Sequence, residues 1–170
     1  MKMELKNVGG SLETLLGFSG RIYFGVPDET SRREWVFENL MNRKRKSGIE
    51  GAKRPQINNA DLLAILEHGS PVKNIPPREL LKPVIEKHRP EIEKVFLRVY
   101  NALINNRPDV ADFEMEKLAQ RIEMWGKKYF VEDNGWAPNS PGTIKQKKSS
   151  RPMIDTGNLR ASIRGIYKRK

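Results

Sequence analysis

Two apolar stripes separated by a proline constrain this chain more than any other feature. Ile92, Phe96, Val99 and Leu103 recur at spacings of four, three and four residues, and beyond Arg107-Pro108-Asp109 the same rhythm links Ala111, Met115, Leu118, Ile122, Trp125 and Tyr129. Such spacing keeps apolar side chains on one face of an α-helix. Two amphipathic helices joined by a short loop bury those faces against each other as an αα-hairpin. Upstream, the helical pattern extends back to Glu79, with Pro83 and Pro90 inside it. Each proline removes a backbone donor, which predicts a break near His88-Arg89-Pro90. His88, between Lys87 and Arg89, reads as a solvated side chain.

The hairpin needs something to cover its other side. Gly20-Arg21-Ile22-Tyr23-Phe24-Gly25-Val26-Pro27 alternates apolar residues and reads as a strand closed by a Pro-Asp turn. Residues 161–168, from Ala161 to Lys168, alternate likewise and read as a second strand that pairs with the first. The expected fold is therefore α+β: a small antiparallel β-sheet packed with an αα-hairpin and shorter helices. Among those helices, Ser31 with Glu34 has capping-box spacing ahead of Trp35, Val36, Leu40 and Met41. Asn58 or Asn59 caps another that runs to about Glu67 and stops at Gly69-Ser70-Pro71. Ile75-Pro76-Pro77 holds the backbone extended before a helix expected to begin at Arg78. Thr143 to Lys148 reads as a basic helical turn, and 42–57 as a mobile basic loop.

A length of 170 residues fits one domain with a real core. No apolar run is long enough to span a membrane, and no apolar signal core follows Met1-Lys2-Met3-Glu4-Leu5-Lys6. The expected site of synthesis is a cytoplasm, with no membrane partner. The absence of cysteine excludes disulfides and thiolate metal sites, and two histidines are too few for most zinc sites. No phosphate loop, dinucleotide fingerprint or calcium loop is present, so neither metal nor cofactor is expected.

Ile154-Asp155-Thr156-Gly157 matches the aspartic-protease motif, but that chemistry requires two carboxylates sharing a proton. Only 13 residues follow Gly157, too few to build the flaps and cleft of a single-motif subunit. The structural alternative is that Asp155 or Thr156 caps a turn through Asn158-Leu159-Arg160, while Gly157 permits close backbone approach or an unusual φ. His68 lies beside Glu67 without a nucleophile and an orienting group, and reads as an interface or capping residue. No enzyme is expected.

The formal charge is +11 and unevenly spread. Between residues 141 and 170 nine cations, among them Lys145, Lys147, Lys148, Lys168, Arg169 and Lys170, face Asp155 alone. A second cluster, Arg43-Lys44-Arg45-Lys46 with Lys53 and Arg54, faces only Glu50. Clusters of this kind attract polyanions, either nucleic acid or an acidic protein surface; the alternative is a solvated loop and tail.

Longer patterns run through the last third. Trp136-Ala137-Pro138-Asn139-Ser140-Pro141-Gly142-Thr143-Ile144 is followed by Arg151-Pro152-Met153-Ile154-Asp155-Thr156-Gly157-Asn158-Leu159-Arg160-Ala161-Ser162-Ile163. Ahead of them stand Asn59-Ala60-Asp61-Leu62-Leu63-Ala64-Ile65-Leu66-Glu67-His68-Gly69-Ser70-Pro71 and Ile75-Pro76-Pro77-Arg78-Glu79-Leu80-Leu81-Lys82-Pro83. In content and order these blocks resemble the virion morphogenesis proteins of tailed bacteriophages, the neck or tail-completion proteins that join a filled head to its tail. The resemblance covers about residues 57–88 and 136–168. It departs at Glu67-His68-Gly69, where the family tends to carry His-Glu-Phe-Gly, and at Pro77-Arg78-Glu79-Leu80, where Ala-Arg-Pro-Phe is usual. Residues 29–56 read as a divergent insertion.

The resemblance implies a structural virion protein at the neck or tail junction. It would act as a homo-oligomeric ring, a hexamer rather than a dodecamer, touching head-closure, tail-terminator and tail-tube proteins and, in passing, the genomic DNA. A ring needs two different surfaces per subunit. The proline-stiffened turns Gly69–Pro77 and Trp136–Thr143 are candidates, with Arg78, Arg151, Asp155 and Arg160 as interface residues. Trp136 reads either as an interface anchor or as a core residue. The competing expectation is a basic, non-enzymatic nucleic-acid-binding module.

Overall fold

The computed structural model describes residues 14–31, 57–147 and 150–170. The expected helix after Ser31 and the Arg43–Arg54 cluster lie outside the described residues, as does Lys148. The described residues divide into two compact units: 14–25, 80–129 and 164–170 form one, and 26–31, 57–79, 130–147 and 150–163 form the other.

The first unit is the hairpin and its sheet. Strand β1 (Gly20–Gly25) pairs antiparallel with β2 (Arg164–Arg169), with Gly20 opposite Arg169 and Gly25 opposite Arg164. The second strand is shorter at its start than the alternation predicts, because residues 158–162 are helical. In the same unit lie α3 (Leu81–Lys87), α4 (Arg89–Ile104) and α5 (Pro108–Tyr129). The expected break falls at His88, which has φ −103° and ψ 11°. Pro90 then stands in the first turn of α4, where its missing N–H is harmless.

Helix α5 packs on α3, α4 and both strands. It buries Ala111, Met115, Leu118, Ala119, Ile122 and Trp125. Helix α4 buries Val95, Val99, Ala102 and Leu103. Its buried face is thus turned from the expected stripe: Phe96 is half-exposed, and Val95 takes its place in the core. His88 is also not the solvated residue expected. Its ring stacks flat on Trp125 at 4.0 Å, and its Nδ1 lies 3.3 Å from Glu91 Oε1.

Sheet and hairpin are buckled by two carboxylates of α5. Glu123 receives Lys127 Nζ at 2.5 Å, the Gly165 N–H at 3.1 Å and Arg164 Nη1 at 3.3 Å. Asp112 accepts the Tyr167 hydroxyl at 2.7 Å and a hydrogen bond from Arg169. Gly165 is required where β2 meets α5, since a Cβ there would run into the Ala119 carbonyl oxygen.

The second unit holds α1 (Asp28–Ser31), α2 (Asn59–His68), a 3-10 turn (Pro71–Lys73), α6 (Pro141–Lys147) and α7 (Asn158–Ser162). Asn58 is the cap of α2, its side chain accepting the Asp61 N–H at 2.7 Å. Gly69 ends the helix at φ 73°, and a Cβ there would lie 2.8 Å from the Ile75 carbonyl oxygen. Helix α6 is longer than the expected turn. Ser140 supplies its cap, accepting the Thr143 N–H at 3.3 Å, and Pro141 opens its first turn. Before α7, Gly157 takes φ 86°, the second of its two expected roles, with no close neighbour for a Cβ, and it stands at the cap position expected of Asp155 or Thr156. Thr156 Oγ1 accepts the Asn158 N–H at 3.4 Å, and Ser162 Oγ donates to the Leu159 carbonyl at 2.7 Å. That local bond and the burial of Leu159 and Ser162 favour a helix where alternation suggested strand.

Candidate assembly surface

The sequence blocks behind the phage resemblance close on one another inside the second unit. Arg78 does not begin a helix; α3 starts at Leu81. Its side chain is buried, and its guanidinium donates to the Ala137 carbonyl from Nε at 3.1 Å and from Nη2 at 3.0 Å. Its own N–H donates to the Leu66 carbonyl at 2.8 Å. One arginine thus ties the end of α2 to the Trp136–Thr143 loop. Burial pulls the Arg78 pKa below the ordinary guanidinium value, while the carbonyl dipoles offset the cost of holding a cation there. As an interface residue Arg78 is therefore corrected: it is an internal strut.

The remaining motif residues extend this lock. The Trp136 indole N–H donates to the Glu79 carbonyl at 2.9 Å, and its ring meets Phe130 edge-on at 5.9 Å. Trp136 is partly buried, neither a full core residue nor an open anchor. Asn139 is buried, and its amide donates to the carbonyls of Ser150 and Arg151 at 3.3 and 2.9 Å. Arg151 in turn donates to the Val131 carbonyl at 3.1 Å while remaining exposed. Met153 is buried with φ 57°, a left-handed conformation unusual for its side chain.

Asp155 is exposed and Arg160 partly so. Asp155 and Lys147 stand at a recess of about 130 Å³ whose apolar lining includes Leu62, Leu66, Met153 and Leu159. At the end of the C-terminal strand Lys168, Arg169 and the following Lys170 are all exposed, and of these Arg169 is paired with Asp112. Lys145 is exposed on α6. The His68 ring Nδ1 lies 2.9 Å from the Ala64 carbonyl, so as the Nδ1–H tautomer it donates back to its own helix end.

One cluster of exposed apolar side chains departs from the expected one-sided stripe. On α4, Phe96 (49%), Leu97 (64%), Tyr100 (50%) and Ile104 (43%) leave large side chains in solvent. Spacings of one, three and four gather them into an arc beside the buried face. The signal was present in the sequence as an α4 too apolar all round for a one-sided stripe. Clustered exposure of this kind marks protein contact surfaces. Among the described residues, no helix is long and apolar enough to cross a membrane, and no group of three or more acidic or histidine side chains is placed to hold a metal. Comparisons of the chain with protein-family models, with curated proteins and with solved structures give no match.

Proposed function

We propose that this protein is a structural component of a tailed-phage virion, completing the neck or tail and joining the tail to the filled head. The observation that carries the reading is the mutual closure of the resembling blocks. Arg78 and Ala137 stand 59 residues apart and are bonded directly, and Asn139 fastens the loop to the Arg151 block. The blocks that carry the resemblance are thus bonded to one another in the fold. The exposed arc on α4 supplies a docking face of the apolar kind that assembly contacts use. Subunits repeat a heterologous contact around a ring, for which a hexamer is the favoured copy number, and other neck and tail proteins cover the remaining faces. The protein is made in the host cytoplasm and resides in the virion.

Electron microscopy of a lysate lacking only this gene tests the reading. Filled heads beside separate, finished tails are expected, with joined particles restored by the wild-type protein. A Leu97→Glu/Tyr100→Glu variant, still folded by circular dichroism, is expected to fail to restore them. Intact joined virions without the gene would sink the proposal.

A further inference from the structure

The outer face of the β1/β2 ribbon gathers two cations and an aromatic ring in solvent. Strand parity and register put Arg21 directly opposite Lys168 and Tyr23 opposite Ile166. The neighbouring positions Gly165, Tyr167 and Arg169 meet α5, so Arg21, Tyr23, Ile166 and Lys168 lie on the side away from that helix. Arg21 and Lys168 are exposed, and Tyr23 leaves 49% of its surface in solvent. Like charges placed directly across a ribbon destabilise it. Among the described residues neither cation has an acid partner, in contrast to Arg164 on Glu123 and Arg169 on Asp112. Lys168 Nζ lies over the Tyr23 ring, 6.0 Å from its centre, so a cation sits beside one face of an aromatic ring that is half in solvent.

We propose that this face binds a nucleic-acid strand, with a phosphate held between Arg21 and Lys168 and a base stacked on Tyr23. A phosphate at that point relieves the cross-strand repulsion, so binding and ribbon stability favour the same geometry. Lys170 follows on the same side of the chain about 7 Å beyond Lys168, available to the next phosphate. An acidic polypeptide would satisfy the cations but would leave the ring without a stacking partner, which favours a single nucleic-acid strand over it. No assembled particle enters this proposal, so it stands or falls apart from the neck reading.

The test is fluorescence anisotropy of the full chain with a labelled single-stranded oligonucleotide, its duplex and a polyglutamate of equal charge, at several salt concentrations. Wild type is expected to bind the single strand more tightly than the duplex or polyglutamate, and to weaken steeply as salt rises from about 50 to 200 mM. Arg21→Glu is the decisive variant, because it places an acid opposite Lys168 and so preserves or raises the melting temperature. It is expected to lower affinity by about tenfold and to flatten the salt slope by about one. Tyr23→Leu is expected to weaken the single strand about fivefold or more and to leave the duplex unchanged. The proposal is overturned if wild type does not bind at low salt. It is equally overturned if polyglutamate competes on equal terms, or if Arg43→Glu lowers affinity as much as Arg21→Glu does.

Discussion

At the scale of single residues, two side chains make different demands on the solvent. Burial alone would raise the Glu123 pKa, but hydrogen bonds from Lys127 and the Gly165 N–H, with the charges of Lys127 and Arg164, bring it below its ordinary 4.5. A depressed carboxylate pKa contributes stability above the unfolded value and loses it as pH falls through the folded one. Thermal melts are therefore expected to decline below about pH 4.5, and Glu123→Gln to flatten that decline. Tyr167 has the opposite sign. Burial, then the hydrogen bond to Asp112 and the charge of that carboxylate, pushes its pKa up to about 12. Its contribution is complete below pH 10 and is lost from there to about pH 12, a loss that Tyr167→Phe should remove from alkaline melts. Arg78→Lys keeps the charge but loses the fork that spans to Ala137; a cost of about 1.5–3 kcal/mol in chemical denaturation is expected. A cap at Asn58 or Asn59 and a special backbone role for Gly157 are legible in the sequence, because each is a local requirement; which asparagine caps and that Gly157 takes a positive φ are settled by the fold. Arg78 and His88 were not, since a carbonyl 59 residues away and the face of Trp125 are supplied by tertiary structure.

At the scale of elements, the seam between β2 and α5 is closed by the lack of a side chain. Gly165→Ala would push the strand away from Ala119 and drag the Glu123 bond with it. A loss of about 1–3 kcal/mol is expected. At about 2–4 °C per kcal/mol, calorimetry would register a fall of several degrees; an unchanged melting temperature would contradict the close approach. The hairpin, its break at His88 and the pairing of the two strands were all readable, being set by periodicity and proline chemistry. What periodicity leaves open is the direction in which a stripe faces. Helix α4 carries apolar residues around more than half its circumference, so the position of α5 decides that Val95 and Ala102 are buried and Phe96 is not. The exposed arc is hidden in the sequence for the same reason, since spacing alone places Phe96 on the core stripe. Alternation likewise misassigned Ala161 and Ser162, where a short-range hydroxyl bond holds a helical turn.

At the scale of the whole molecule, the chain passes between its two units at residues 25–26, 79–80, 129–130 and 163–164. The first unit is therefore completed only by the last strand. Removing residues 164–170 deletes both partners of Asp112 and two partners of Glu123, besides the whole of β2. Hydrogen exchange is expected to show β1 amides losing protection, while the amides of α2, in the other unit, keep theirs. Retained protection in β1 would mean that the strand does not depend on its partner. The register has one more consequence, a mechanical one. Gly20 faces Arg169, and the Lys170 N–H donates to the Ser19 carbonyl at 2.8 Å, so both strands leave the ladder at the same end. A pull between those two points loads one rung at a time, and the ribbon peels open like a zip instead of resisting in shear.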